Sequence, residues 1–174
     1  MDESRLWLVF TVVCIASIIG LLEYEDKIDI FGEKNSSENE TDFDTSDEMH
    51  DLGKFCMTHE NLAMHFHPTI SIFIDGESMD IPKDLGIDTE LCPSTMHMTH
   101  THDSSGKIHV EGHQEVDVPL EVFFDVWGVH FDENGIFDYR GGTISMTVNG
   151  AESTAYQNLI LEDSQNIVIS YTSN

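Results

Sequence analysis

Positive charge is what this sequence has least of: Lys and Arg number 7 against 33 Asp and Glu, a formal net charge of −26 over 174 residues. A phosphate backbone needs clustered Lys and Arg, so nucleic acid is excluded as a partner. Adsorption to an anionic membrane surface is disfavoured for the same reason. The acidic excess keeps the chain soluble and draws cations towards it. Adaptation to a saline habitat accounts for it equally well. The chain also lacks a Gly-rich phosphate loop and a Gly-x-Ser-x-Gly nucleophile elbow. It has no internal repeat strong enough to count.

Cysteine is scarce, with 3 in all. Cys14 lies inside an apolar run, leaving Cys56 and Cys92 outside it. If the folded part is extracytoplasmic, these two are left to form a disulfide; otherwise one is available as a thiolate ligand. Cys92-x4-His97-Met98 offers the cysteine, histidine and methionine of a blue-copper site, which also needs a distant histidine on a Greek-key sandwich.

The apolar run, Leu6 to Leu22, carries no charge. At about 1.5 Å per residue it is barely long enough for the hydrocarbon core, so it is an anchor or a signal peptide. No small-residue cleavage site follows it, and the branched Val13 rules out a lipoprotein cysteine at Cys14. The run therefore reads as an uncleaved single-pass anchor. Arg5 places the short N-terminal stub inside, with Lys27 competing. The organisation expected is a cytoplasmic stub at 1–5, a transmembrane anchor at 6–22, an acidic disordered linker at 23–53 and an extracytoplasmic His-rich metal-binding domain at 54–174. The protein then sits in the cell membrane with its C-terminal domain outside. Residues 31–51 are acidic, rich in Ser, Thr and Asn, and nearly free of apolar residues, so burial cannot offset their chain entropy. This stretch holds the glycosylation acceptors Asn35 and Asn39, in Asn35-Ser36-Ser37 and Asn39-Glu40-Thr41.

What the chain does have is histidine. Met96-His97-Met98-Thr99-His100-Thr101-His102-Asp103 leads into a segment holding His109, Glu111 and His113, while His65 and His67 stand upstream. Imidazole is the commonest protein ligand for zinc and copper. Side chains alternate faces in an extended segment, so a His-x-His pair aims both rings the same way. His65, His67, His100, His102 and His109 are the candidate metal ligands. Asp103, Glu111, Met98 and His97 are alternative ligands or partners to a ligand's ring N–H. His97 and His113 read as peripheral.

Periodicity supplies the scaffold. Met64, Phe66, Ile70, Ile72 and Ile74 occupy even positions and His65, His67, Ser71 and Asp75 odd ones, which predicts one strand with a polar, histidine-bearing face. Asp75-Gly76 signals a hairpin, with a return from Glu77 to Ile81 that Pro82 ends. Residues 83–95 read as loop. Ile108 and Val110 alternate with His109 and Glu111 in another strand. A short helix runs between Pro119 and Gly128, its Leu120, Phe123, Phe124 and Trp127 forming a core stripe. Residues 129–142 read as a polar connection, Thr143 to Val148 as a strand, Asn149-Gly150 as a turn, and Asn166 to Tyr171 as a final strand. The fold class is α+β, mostly antiparallel β with one short helix and a β-grasp-like ending, preceded by the N-terminal transmembrane helix.

The combination His65-x-His67, His100-Thr101-His102-Asp103, Gly106-x-Ile108-His109-Val110-Glu111, Phe123-Phe124-x-x-Trp127-Gly128 and Val148-Asn149-Gly150 resembles an uncharacterised family of secreted or membrane-anchored archaeal and actinobacterial proteins. The resemblance covers most of residues 64–171. It implies the domain boundary and carries no activity with it.

Three neutral imidazoles at about 2.0–2.1 Å suit zinc and Cu(II) alike. Methionines at 57, 64, 96 and 98 interleave with the histidines, and thioethers favour Cu(I); Met64 has core parity, and Met96 and Met98 are the better donors. Copper binding and delivery outside the cell is thus the first reading. The alternative is a zinc-dependent lyase or hydrolase with a three-histidine site of carbonic-anhydrase type, Glu111 or Asp103 acting as base. A cupin is disfavoured because Gly106 and Lys107 stand where its glutamate belongs. A third reading is an accessory subunit of a membrane or cell-envelope complex.

Overall fold

Ile70, Ile72 and Ile74 do turn one way into the core, as their spacing requires, and Ile167, Ile169 and Tyr171 do the same further along the chain. Burying each such side chain contributes about 1.5–3 kcal/mol. The computed structural model describes residues 48–174. The expected anchor and its stub, Asn35, Asn39 and the linker up to residue 47 lie outside the described residues. Among those that are described, no helix is long and apolar enough to cross a membrane.

A 3-10 turn at Asp51–Lys54 is followed by β1 (Cys56–Met57), β2 (Met64–Phe66), β3 (Thr69–Ile74) and β4 (Glu77–Met79). Next come β5 (Met96–His97), β6 (Thr99–His100), β7 (His109–Gly112) and the helix α1 (Glu121–Trp127). The remainder is β8 (Phe131–Asp132), β9 (Gly135–Ile136), β10 (Tyr139–Arg140), β11 (Thr143–Val148), β12 (Ala151–Ser153), a 3-10 turn at Tyr156–Asn158 and β13 (Asn166–Thr172). The main sheet has the order β12-β11-β13-β3-β4. Its central pair, β3 and β13, is parallel, and every other pairing in it is antiparallel. A second sheet, β2-β7-β6, is antiparallel throughout. Among the described residues the architecture is α+β, largely antiparallel, with one α-helix.

The outer hairpins close as their sequences direct. Asp75 and Gly76 both have positive φ, 51° and 84°, as do Asn149 and Gly150 at 53° and 81°. That is the backbone a two-residue turn needs to match strand twist. The helix stops at Gly128, whose φ of 75° is left-handed and whose N–H donates to the carbonyls of Asp125 and Phe124. Leu120, Phe123 and Phe124 are buried in the core, with Trp127 packed at its margin.

Three expectations need correction. The strand read through residues 64–74 is broken at His67-Pro68, and its halves join different sheets. Pro68 has no N–H for a ladder; its carbonyl accepts from Ile108 N at 2.9 Å, while Thr69 N donates to Gln165 O at 2.8 Å. The chain changes partners at the proline. Residues 129–142, read as a connection, hold the small sheet β10-β9-β8, and β12 follows the turn at 149–150. Finally, packing starts ahead of residue 54: Gly53 is buried and His50 N donates to Asp125 Oδ2 of the helix at 2.7 Å.

Candidate metal centre

The sheet β2-β7-β6 sorts its side chains by face. In its register His65 lies opposite Glu111, Phe66 opposite Val110, and His100 opposite His109. Opposed residues share a face and alternate residues swap. Met64, Ile108 and Val110 therefore go into the core, where they are buried. His65, His67, His100, His109 and Glu111 share the other face. Apolar alternation drives this: a slip of one residue would put five ionisable groups into the core and the aliphatics outside.

The turn between β6 and β7 is fastened to the main sheet. Asp103 Oδ1 accepts from Ser105 N at 2.8 Å, and Ser105 Oγ accepts from Lys107 N at 3.3 Å. Gly106 carbonyl accepts from Ile70 N at 2.8 Å. Gly106 has φ of 82°, and a Cβ there would lie 2.1 Å from the Ile70 carbonyl oxygen. Only glycine allows that approach, and the approach fixes where His102 and His109 stand relative to the strands.

Six histidines gather around one buried carboxylate. Glu111 is fully buried; its Oε2 lies 3.0 Å from His59 Nδ1, and its Oε1 lies 3.2 Å from His65 Nε2, 3.9 Å from His109 Nδ1 and 4.0 Å from His100 Nε2. His67 Nε2 is 3.2 Å from His109 Nδ1. The ring of His102 is centred 5.0 Å from that of His100 and 4.5 Å from that of His109. In two groups of three, His65/His67/His109 and His100/His102/His109, the donor nitrogens all lie within 4.8 Å of one another. A metal holding imidazoles at about 2.1 Å allows donors up to about 4.2 Å apart, so small ring rotations suffice to close either group on an ion.

The protons point the same way. His100 Nδ1 is 3.1 Å from the carbonyl of His97, which can only accept, so Nδ1 carries the hydrogen and Nε2 the lone pair. That Nε2 is buried without a hydrogen-bond partner, and so is Glu111 Oε1, 4.0 Å away and outside hydrogen-bond alignment with His65. Two electron-rich atoms face each other across a gap with no proton between them. Such an arrangement is costly on its own and becomes favourable around a cation. Burial pushes His100 down to about 3, against the His97 hydrogen bond. Burial, then the neighbouring His67 and His102, pushes His109 down to about 4. Burial and then His65 also lower His67. These rings are neutral at physiological pH, as metal ligation requires.

Other sequence candidates are placed elsewhere. His97 is buried; its Nδ1 donates to the Gly53 carbonyl and its Nε2 accepts from the Thr89 hydroxyl at 2.8 Å, so both nitrogens are engaged in holding the fold. Met98 is buried in the core and lines an apolar cavity with Leu52, Phe55 and Met57. Asp103 is exposed and its carboxylate caps the turn; Ser105 hydrogen bonds, side chain first, hold it below the usual range. His113 is exposed, with Nδ1 at 3.3 Å from the Asn61 carbonyl. Cys56 and Cys92 form a disulfide. This removes the thiolate and, with His97 engaged, dismantles the blue-copper set. The member of the cluster that sequence reasoning missed is His59. It sits on a bend before β2, where no periodicity reveals which way a ring faces; its only signal was membership of the histidine-dense stretch.

No family model matches the chain, and no curated protein or solved structure is similar to it.

Proposed function

We propose that the chain is a membrane-anchored, extracytoplasmic metal-binding protein that binds and delivers copper through this multi-histidine centre. The observation that carries the reading is the pair of buried, unpartnered atoms His100 Nε2 and Glu111 Oε1 at the middle of six imidazoles. Copper is favoured because affinity of a nitrogen and oxygen donor set peaks at Cu(II) among the first-row divalent ions. The soft-donor argument for Cu(I) loses Met98, which is buried in the core. The disulfide supports an oxidising compartment, where such bonds persist. The anchor at 6–22 and membership of the resembled archaeal and actinobacterial family belong to the same reading. So does a β-grasp-like description of the main sheet, supported by two hairpins flanking a parallel pair made of its first and last strands in chain order.

The test is a titration of the full chain, purified without a histidine tag, with copper and with zinc as competitor. Tight copper binding is expected, weakened at least about 100-fold by His100→Ala combined with His102→Ala. Failure to bind either metal overturns the reading.

The zinc-enzyme reading is favoured by one feature: three imidazoles beside a buried carboxylate, His65, His67 and His109 with Glu111. Three histidines with a free fourth position lower the pKa of a zinc-bound water to about 7. It requires hydration or hydrolysis activity that a chelator abolishes and zinc restores.

A further inference from the structure

We propose that the centre takes two divalent metal ions, held on either side of the Glu111 carboxylate, with His59 as a ligand to the second. The inference rests on the metal-binding reading above and deepens it. The two groups of three, His65/His67/His109 and His100/His102/His109, both depend on His109. A neutral imidazole has one lone pair to give, because its other nitrogen carries a proton. His109 therefore serves one ion, and a second ion needs another ring. With His65, His67 and His109 on one ion, His100 and His102 are left two donors short of a tetrahedral shell.

Of the six rings, His59 is the one left to supply it. Its ring is centred 6.2 Å from that of His100 and 6.0 Å from that of His102, on their side of the cluster. The carboxylate lies between the same two halves. Oε2 is 3.0 Å from His59 Nδ1, and Oε1 is 3.2 Å from His65 Nε2. Oε2 thus faces a ring of the second set, while Oε1 faces one ring of each set, His65 and, at 4.0 Å, His100, so the carboxylate stands between the two. Ions in two-metal sites lie about 3.5–4 Å apart. Their mutual repulsion is offset by the shared carboxylate and by the negative field of a chain with net charge −26. A single ion would use three or four donors and leave at least two of six converging rings without a role. The chemical class is a pair of borderline divalent ions, Cu(II) or Zn(II), bound by three imidazoles each and bridged by one carboxylate.

The experiment counts ions. The full chain without a histidine tag is loaded with Cu(II), and separately with Zn(II), freed of excess metal by gel filtration and measured by elemental analysis against protein. Two ions per chain are expected, falling to one in His59→Ala and in Glu111→Gln. His113→Ala, whose ring lies outside the cluster, is expected to keep two. One ion in the unmodified chain overturns the pair while the metal-binding reading stands. Two ions retained in His59→Ala overturn it as well. No metal in any preparation overturns both.

Discussion

The carbonyl of His97 holds Nδ1 of His100 at 3.1 Å, and that contact decides how the buried ring presents its lone pair. His97 is itself clamped between Gly53 and Thr89. His97, read from the sequence as peripheral or as a partner to a ligand's ring N–H, orients a ring of the cluster through its backbone carbonyl. A ring oriented by a backbone carbonyl on one nitrogen and free on the other is the usual state of a metal-binding histidine.

That arrangement has a stability cost that substitution exposes. In His100→Leu the buried, unpartnered nitrogen is gone and an aliphatic of similar size replaces the ring. Metal-free stability is expected to hold or rise by about 1–3 kcal/mol, while copper capacity falls. Denaturant unfolding of the metal-free chain, beside copper titration, checks both halves. A large loss of metal-free stability would show that the ring is satisfied in the folded protein.

His97→Ala should do the reverse. Removing the ring leaves the Gly53 carbonyl and Thr89 hydroxyl without their partner, at about 2–4 kcal/mol in all. The ligands themselves remain, so the number of ions bound is expected to be unchanged at temperatures below the lowered Tm. Calorimetry and metal counting on the same sample decide it.

Acid should weaken the metal-free protein through its histidines. Well above about pH 6.5 the rings of His100 and His109 are neutral in both folded and unfolded chains and protons favour neither. Below that, the unfolded chain takes up protons that folded His100 and His109 refuse, being pushed down to about 3 and about 4. Stability then falls with falling pH, by roughly 1.4 kcal/mol per pH unit for each ring, until each folded value is passed. Thermal melts between about pH 7 and pH 4.5 are expected to show this decline, and a shallower one in His100→Leu. Equal slopes in the two proteins would remove His100 as a cause.

Gly106→Ala tests the fastening of the ligand-bearing turn. The new Cβ would lie 2.1 Å from the Ile70 carbonyl oxygen, at a φ of 82° that alanine resists. A loss of at least about 2 kcal/mol is expected, together with weaker metal binding as His102 and His109 shift. Unchanged affinity in the folded variant would show that the turn does not position the rings.

The disulfide should matter to the fold more than to the centre. Cys56 and Cys92 close a loop of sequence separation 36, and a loop of that size is worth about 3–4 kcal/mol in the chain-entropy account. Replacing both by serine should lower Tm by a corresponding amount. Copper binding at low temperature should persist.

The sequence was most legible where periodicity was strong. Alternation located the histidine-bearing face, since His65, His67 and His109 fall between core residues that burial demands. It also located the strands at 143–148 and 166–172, because apolar residues recur there at every second position: Ile144, Met146 and Val148, then Ile167, Ile169 and Tyr171. It failed where the chain changes partners. Parity runs unbroken across Pro68, so nothing in the pattern announced that two sheets begin on either side of it. Two-residue strands such as 131–132 and 135–136 have no period to detect. His59 was hidden for the same reason, being placed by a bend, while His97, read as peripheral, makes its ring contacts with Gly53 and Thr89.

The parallel pairing of β3 with β13 has a consequence for the order of assembly. Every ring of the cluster lies between residues 59 and 109, yet Gly106 leans on β3, and β3 gains its inner neighbour only when residues 166–172 arrive. During synthesis the imidazoles are exposed before the sheet beneath them can close, because so distant a pairing forms late. A nascent chain therefore displays its histidines loosely first, and the geometry that gathers them is finished only when β13 docks.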